Sequence, residues 1–349
     1  MTNYEIQKLC GLVINPAEVE RVVASLPNPQ FVSCASHLAG TGEGKDIWFW
    51  AAEEAILGKV LASYHQKIGD CVSHGWARGC QDLMLIEIAN GDMEEVPKAI
   101  LDRLVSEDGE HGIVATEPIY GGSRCEVGGW WGRNDDGSIG AWGAKWVSQW
   151  GVILRDRHEI GSDVYDLTHY DSSRAKSWGA RGCPDPLEGV AKMHPVQTVT
   201  QCSTYEEVRD MLANGYPVPV ASMQGFAMKR SVGGWCRPSG TWAHQMTFRG
   251  SLVVKGNRPA VVCQNSWGDY LGSENNRVQL ESGKELTLPS GAFLVEPEIV
   301  TRMARGGDTF AASSFKGFPR RNEPIPWIFA SATEEPKTAR KKGKEQSHA

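Results

Sequence analysis

The 349-residue sequence predicts an α+β fold in two lobes, a helical lobe packed against an antiparallel sheet. Three observations predict it. The first half carries apolar residues at helical spacing, separated by irregular glycine-containing stretches. From about residue 203 the pattern changes to a capped helix followed by short apolar or alternating runs, among them PVPVASM, HQMTFRG, SLVV, AVVCQ and GAFLVEP. Gly (39) and Trp (13) are both abundant, which suits a loop-rich mixed fold rather than a helical bundle. No internal repeat interrupts this division.

In chain order, Asn15-Pro16 opens a helix through Val19, Val22 and Val23 that Pro27 and Pro29 stop. Residues 46–62 read as an amphipathic helix with Asp46 as its N-cap. Asp70 is placed to cap the next helix, which carries Val72, Trp76, Cys80, Leu83 and Ile86 and ends at Asn90-Gly91. This helix is apolar around most of its circumference and therefore central. Another helix is expected near Val96–Val105. Residues 109–140 and 155–195 read as irregular, and loops this long in a compact domain are functional or heavily packed. Between them Trp142, Trp146 and Trp150 share one helix face, read as core, with Gly151 as the stop. Ser203 and Glu206 read as a capping box for a helix that ends at Asn214-Gly215. After the strand runs, Pro297 starts a last helix through Ile299, Val300 and Met303. Beyond about 305 the pattern is lost, and the mixed-charge end TEEPKTARKKGKEQSHA reads as partly disordered.

The net charge of −6 argues against a general nucleic-acid binder, since no basic patch precedes the C-terminal tail. No apolar run is long enough to span a membrane. The N-terminal sequence lacks a basic segment followed by an apolar core, so it does not read as a signal peptide. Nine cysteines with no paired spacing point to reduced thiols and a cytoplasmic setting. His74 with Cys71 has a Cys-x-x-His spacing, but no second paired ligand set accompanies it, so neither metal nor cofactor is expected.

Cys71 follows a Gly-polar turn and begins the central helix, where the helix dipole favours a thiolate. Read alone it is one buried cysteine among nine. His244 starts a core strand, and Asn265 lies where a later strand ends; alone they read as a structural histidine and a turn-capping asparagine. Taken together, adjacent strands set His244 and Asn265 side by side facing the helix tip, so that the imidazole accepts the thiol proton and the asparagine oxygen holds the ring. Gln66, just upstream of Cys71, offers an amide donor to a developing oxyanion.

At these residues the sequence resembles the papain family of cysteine peptidases. Gln66 with Gly69-Asp70-Cys71 resembles the family's Gln…Gly-Ser-Cys turn, Ala243-His244-Gln245-Met246 its histidine strand, and Asn265-Ser266-Trp267-Gly268 its most specific motif. The similarity covers roughly 46–304 and is closest to divergent papain-like proteins of bacteria and tailed phages, with the segment Glu117-Pro118-Ile119-Tyr120-Gly121-Gly122-Ser123-Arg124 of that type. The resemblance implies an N-terminal extension (1–45), a papain-like peptidase domain (helical lobe about 46–200, sheet lobe about 201–304) and a tail (305–349). It implies Cys71 as nucleophile, His244 as base and acid, Asn265 as orienter, Gln66 with the Cys71 backbone N–H as oxyanion hole, and Trp267 as a shield over the Asn–His bond. The substrate is then a protein or peptide, cleaved through a thioester acyl-enzyme.

The sequence departs from the family at several points. Gln66 is one position closer to Cys71 than usual, and His65 fills the usual slot. Val72 and Leu271 replace family tryptophans, and Ile68 replaces a cysteine of a common disulfide. His244 is further from Cys71 than the roughly 130–150 residues typical of the family, which places an insertion within 155–200. Residues 137–140 resemble the family's glycine-containing loop that pairs with substrate backbone, and equally read as a tight turn before a helix. The segment before Gln66 is short for an inhibitory prodomain, although part of it is a candidate to cover the cleft. Two rival readings stay open: a non-catalytic papain-like fold with a structural or interaction role, such as in a phage particle, and acyl transfer by the same triad.

Overall fold

The computed structural model describes residues 3–27, 29–90, 112–194 and 196–320. Helix α1 spans Asn3–Leu9. Asn15 caps α2 (Pro16–Val23), accepting the Glu18 N–H through Oδ1 as its sequence predicts. A single turn, α3 (Phe31–Cys34), follows. Residues 46–62 are not one helix. They form strand β1 (Ile47–Trp48) and helix α4 (Trp50–Leu57), closed by the left-handed Gly58. Asp46 caps nothing there; its carboxylate accepts the Val253 N–H at 2.7 Å and fastens β1 to the sheet.

Cys71–Asn90 form α5, buried without a break from Cys71 to Glu87. Asp70 heads it through its backbone, its carbonyl accepting the Ser73 N–H, while its carboxylate turns to Tyr170 instead of capping. Gly75 and Gly79 face the sheet. A methyl group at either would lie 2.8 Å from Gln245 or Pro219, so their hydrogens let helix and strands touch. The Thr247 hydroxyl donates to the Gly75 carbonyl at 2.7 Å across that contact.

The first stretch expected to be irregular, 109–140, holds α6 (Thr116–Gly122) running into a π-turn at Ser123–Val127. Helix α7 (Gly140–Gln149) carries Trp142 and Trp146 into the core, and Trp150 stacks on Trp146 at 4.9 Å. The second such stretch, 155–195, holds a hairpin of β2 (Arg157–Ile160) and β3 (Asp163–Asp166), then α8 (Ser172–Arg181) and α9 (Asp185–Ala191). The hairpin buries neither face and α8 buries only Ala175 and Gly179, so neither writes an apolar period into the sequence.

Strand β4 (Thr198–Gln201) leads to α10 (Tyr205–Ala213). Its capping box sits one residue later than expected: Thr204 Oγ1 accepts the Glu207 N–H, and Glu207 Oε2 accepts the Ser203 N–H at 2.6 Å. The main sheet is antiparallel. Its strands are β5 (Val218–Phe226), β6 (Pro238–Val254), β7 (Arg258–Gln264) and, after a small hairpin of β8 (Arg277–Gln279) and β9 (Glu285–Thr287), β10 (Ala292–Val295). The path runs β1-β6-β7-β10 with β5 also on β6, which fuses two of the expected strands. Helix α11 (Pro297–Ala304) follows. Residues beyond 305 are not patternless: β11 (Phe310–Ser313) pairs with β4. The helix expected near Val96–Val105 and the polar end from 321 lie outside the described residues.

Between α4, α5 and the sheet lies a buried ion cluster. Arg249 on β6 donates to Asp82 at 2.6 and 2.8 Å and to Glu53 at 2.8 Å, and also to Gln264; Arg78 reaches Glu53 at 2.9 Å. It ties α5 to β6.

Candidate active site

Three elements converge at the tip of α5. Cys71 is its first residue. His244 lies in β6, opposite Ser222 of β5. Asn265 follows the last residue of β7, with its N–H held by the Gly291 carbonyl at 3.1 Å and its own carbonyl accepting from the Ser63 hydroxyl. The antiparallel register of β6 and β7 brings His244 and Asn265 together: Nε2 is 2.7 Å from Asn265 Oδ1. Because Oδ1 only accepts, Nε2 carries the proton and Nδ1 is left with the acceptor lone pair in the neutral ring. Nδ1 makes no hydrogen bond among the described residues. The Gln245 N–H, next along β6, is directed at the Cys71 sulfur. Trp267 covers the imidazole with ring centres 4.7 Å apart.

Gln66, not His65, faces this site. Its side chain is buried, and its Oε1 accepts the Ser266 hydroxyl at 2.6 Å. Its Nε2 donates to the carbonyls of Ile68 at 2.8 Å and Leu9 at 2.9 Å. His65 is exposed beside Lys67 and lines a neighbouring cavity of about 520 Å³ with Glu5, Lys8 and Trp267. Moving the glutamine one position closer to the cysteine has therefore kept the amide in the cleft.

The site is closed by the chain's own N-terminal segment. The Leu9 carbonyl that accepts from Gln66 also faces His244. Gly11 packs backbone to backbone on Gly69: a methyl group at Gly11 would overlap the Gly69 carbonyl and lie 2.7 Å from its Cα. The Leu12 N–H donates to the Ala243 carbonyl at 3.0 Å. Ser138, in the glycine-containing loop before α7, donates to the Gly11 carbonyl at 2.9 Å and accepts from the Val13 N–H at 2.8 Å. As a result Cys71 and His244 are both 0% exposed.

That burial sets the electrostatics. It pushes the Cys71 thiol up to about 12, against smaller opposing contributions from the Gln245 and Gly11 N–H groups. It pulls His244 down to about 4, against the hydrogen bond to Asn265. Both shifts favour the neutral form, a thiol at Cys71 and a neutral imidazole at His244. Next to Cys71, Tyr170 donates to Asp70 Oδ2 at 2.8 Å, and burial together with the Glu117 and Asp136 charges raises the Asp70 carboxyl well above its usual range. His74 is wedged edge-on between Tyr64 and Tyr170, with Nδ1 3.1 Å from the Asp70 carbonyl. Among the described residues no group of three or more His, Cys, Asp or Glu side chains is arranged to hold a metal, and no helix is long and apolar enough to cross a membrane.

No protein-family model and no curated protein matches the sequence. Solved structures do match in fold. Xylellain, a cysteine protease from Xylella fastidiosa, superposes with a TM-score of 0.51 at 13% identity, over 90% of this chain and 100% of that one. The proform of Amb a 11, a cysteine protease and major ragweed pollen allergen, gives 0.51 at 12% identity, over 90% and 79%. The fold is papain-like.

Within this papain-like fold His244 and Asn265 are hydrogen-bonded, Gln66 is tied to Ser266 next to Asn265, and Cys71 lies under the N–H of Gln245, the residue after His244. Sequence reasoning offered part of the segment before Gln66 as a candidate cover for the cleft without singling out residues 8–13, and it missed the support that Tyr170 gives Asp70. The plug's one signal was Gly11 between Leu9 and Leu12, in an apolar run too short to read as an element.

Proposed function

We propose that the chain is a papain-like cysteine peptidase held latent by its own residues 8–13. The observation that carries this reading is the His244–Asn265 hydrogen bond beside the buried Cys71, with the Gln66 amide bound to a peptide carbonyl in the same pocket. Once the segment leaves, water and substrate enter, and the desolvation that keeps thiol and imidazole neutral is lifted. The Cys71 proton passes to His244 Nδ1, and the thiolate attacks an amide carbonyl. The oxyanion is met by Gln66 Nε2 and the Cys71 N–H. The imidazolium gives its proton to the leaving amine, and water, deprotonated by the same ring, releases the thioester. The substrate class is an unfolded or extended polypeptide. All nine cysteines are unpaired, which suits a reducing compartment such as the cytoplasm.

The test is labelling with an epoxide-type thiol inhibitor after the segment has been unseated. Selective modification of Cys71, abolished in His244→Ala, supports the reading; uniform labelling of the cysteines sinks it. A second reading, a non-catalytic interaction protein, draws on the sealed cleft, in which Cys71 is 0% exposed. It is favoured if unseating the segment opens Cys71 to the inhibitor without any peptide hydrolysis.

A further inference from the structure

Gln66 Nε2 and the Cys71 N–H stand at the two ends of one short turn, and a hydroxyl from far along the chain touches both ends. Tyr170 accepts the Lys67 N–H at 3.4 Å and donates to Asp70 Oδ2 at 2.8 Å. Lys67 follows Gln66 and Asp70 precedes Cys71, so a single oxygen atom spans the turn. Inside the turn, Gln66 Nε2 and the Asp70 N–H both donate to the Ile68 carbonyl, at 2.8 and 2.9 Å. Asp70 Oδ1 makes no hydrogen bond among the described residues, which leaves Oδ2 and the Tyr170 hydroxyl to hold the carboxyl. Tyr170 is itself anchored. It lies in the stretch 155–195, just before α8, and its neighbour Asp171 caps that helix. The Asp171 N–H donates to Glu117 Oε1 at 3.0 Å, and Arg174 of α8 donates to the same oxygen at 2.8 Å. Arg155 pairs with Glu117 Oε2 at 3.3 Å, and Glu117 is fully buried on α6. The Tyr170 ring meets His74 of α5 edge-on, with centres 5.1 Å apart.

We propose that Tyr170 is a positioning residue: its hydroxyl fixes the spacing between Gln66 Nε2 and the Cys71 N–H, and so sets the pocket that receives the oxyanion. This inference rests on the reading of Cys71 as a nucleophile with Gln66 beside it. A donor stabilises an oxyanion only from hydrogen-bond distance, and a displacement of about 1 Å can lower the rate about a hundredfold. Without the hydroxyl, the Lys67 N–H and Asp70 Oδ2 lose the atom they share, and the ends of the turn move independently. The loss falls on kcat, because full charge on the substrate oxygen exists in the transition state and not in the bound ground state. Displacement of iodide from iodoacetamide by Cys71 develops no oxyanion and does not need the pocket.

The experiment uses Tyr170→Phe, which keeps the ring and removes the hydroxyl, with Tyr165→Phe on β3 as the control. Amide hydrogen exchange at residues 67–71 is read by NMR in the otherwise wild-type full chain. Turnover of a fluorogenic peptide amide and alkylation of Cys71 by iodoacetamide are read in the Gly11→Ala chain. In Tyr170→Phe, loss of both hydrogen bonds is expected to quicken exchange across the turn roughly thirtyfold. The value of kcat is expected to fall roughly tenfold or more, with KM within about twofold and the alkylation rate unchanged. Tyr165→Phe is expected to move none of these. Asp70→Asn still offers the hydroxyl an oxygen and is expected to keep exchange slow, whereas Asp70→Leu, with no acceptor, is expected to match Tyr170→Phe. Unchanged exchange at 67–71 in Tyr170→Phe overturns the proposal whatever the activity. Quickened exchange with an unchanged kcat, or a loss carried by KM, also overturns it, since Tyr170 would then be a structural prop. A Gly11→Ala chain whose Cys71 is open to alkylation but hydrolyses nothing sinks the peptidase reading, and the exchange data then decide by themselves whether Tyr170 holds the turn.

Discussion

Gly11→Ala unseats the plug while leaving the side chains of Gln66, Cys71, His244 and Asn265 unaltered. The new methyl would lie 2.7 Å from Gly69 Cα and overlap the Gly69 carbonyl. Both are backbone atoms that cannot rotate aside, so restoring ordinary carbon contacts of about 3.5–4.0 Å needs a shift of about 1 Å or more. Three hydrogen bonds are lost in such a shift: Ser138 N–H to the Gly11 carbonyl, Leu12 N–H to Ala243, and Val13 N–H to Ser138. At a net value of about 1 kcal/mol each, closure weakens by about 3 kcal/mol. That is roughly a hundredfold in the opening equilibrium, at about 1.4 kcal/mol per tenfold. The assay is the rate of Cys71 alkylation by iodoacetamide under native conditions, followed by peptide mass, and the expected acceleration is roughly a hundredfold. An unchanged rate in a variant whose circular dichroism and urea midpoint match the wild type would refute the reasoning, because Cys71 would then be shielded by something other than the segment.

Asn265→Ala, in a Gly11→Ala background, removes the acceptor that fixes the imidazole; with about 1.5–3 kcal/mol at stake, kcat should fall roughly ten- to a hundredfold while KM stays close to its starting value, as read with a fluorogenic peptide amide. Arg249→Met leaves the buried Asp82 without its guanidinium and Glu53 with Arg78 alone, and urea unfolding should show a loss of about 3–5 kcal/mol. The pH dependence of stability carries a signature of His244. Its folded value is about 4 against about 6.5 in the unfolded chain, so between these pH values the unfolded chain binds a proton that the folded chain refuses. The His244 contribution to stability therefore falls as pH drops from about 6.5 to 4. Asp308, pushed up to about 7 by burial, acts in the opposite sense, its contribution being lost as pH rises from about 4 to 7. Only the difference between wild type and His244→Gln isolates the histidine, and across that window the variant should show a shallower rise of stability with pH, by up to about 1.4 kcal/mol per pH unit.

Cys71 after a Gly-polar turn and Asn265 just past the end of a strand were legible because they sit at element boundaries. His244 was expected to start a strand but lies well inside β6, which begins at Pro238; its residue type was legible and its register was not, because β6 and β7 are buried in continuous runs that carry no alternation. The helix Cys71–Asn90 was legible because Val72, Trp76, Cys80, Leu83 and Ile86 recur at helical spacing, and all are buried. Three kinds of feature were not. Asp46 looked like a helix cap because its true partner, the Val253 N–H, is distant in sequence. The elements within 155–195 were hidden because a hairpin exposed on both faces and a polar helix leave no period to detect. That part of the N-terminal segment covers the cleft was an expectation, but which residues do so was hidden because backbone groups hold them, and a main-chain hydrogen bond such as Leu12 to Ala243 leaves no mark on side-chain pattern.

Amide hydrolysis by the Gly11→Ala chain, with and without a second change at Cys71, tests the central claim most directly. With an unfolded protein such as reduced casein as substrate, the Gly11→Ala chain is expected to release new peptide termini well above the wild-type chain, and Gly11→Ala with Cys71→Ala is expected to release none. Equal release from both variants, or none from Gly11→Ala while its Cys71 is open to alkylation, would contradict a Cys71-dependent peptidase held latent by residues 8–13.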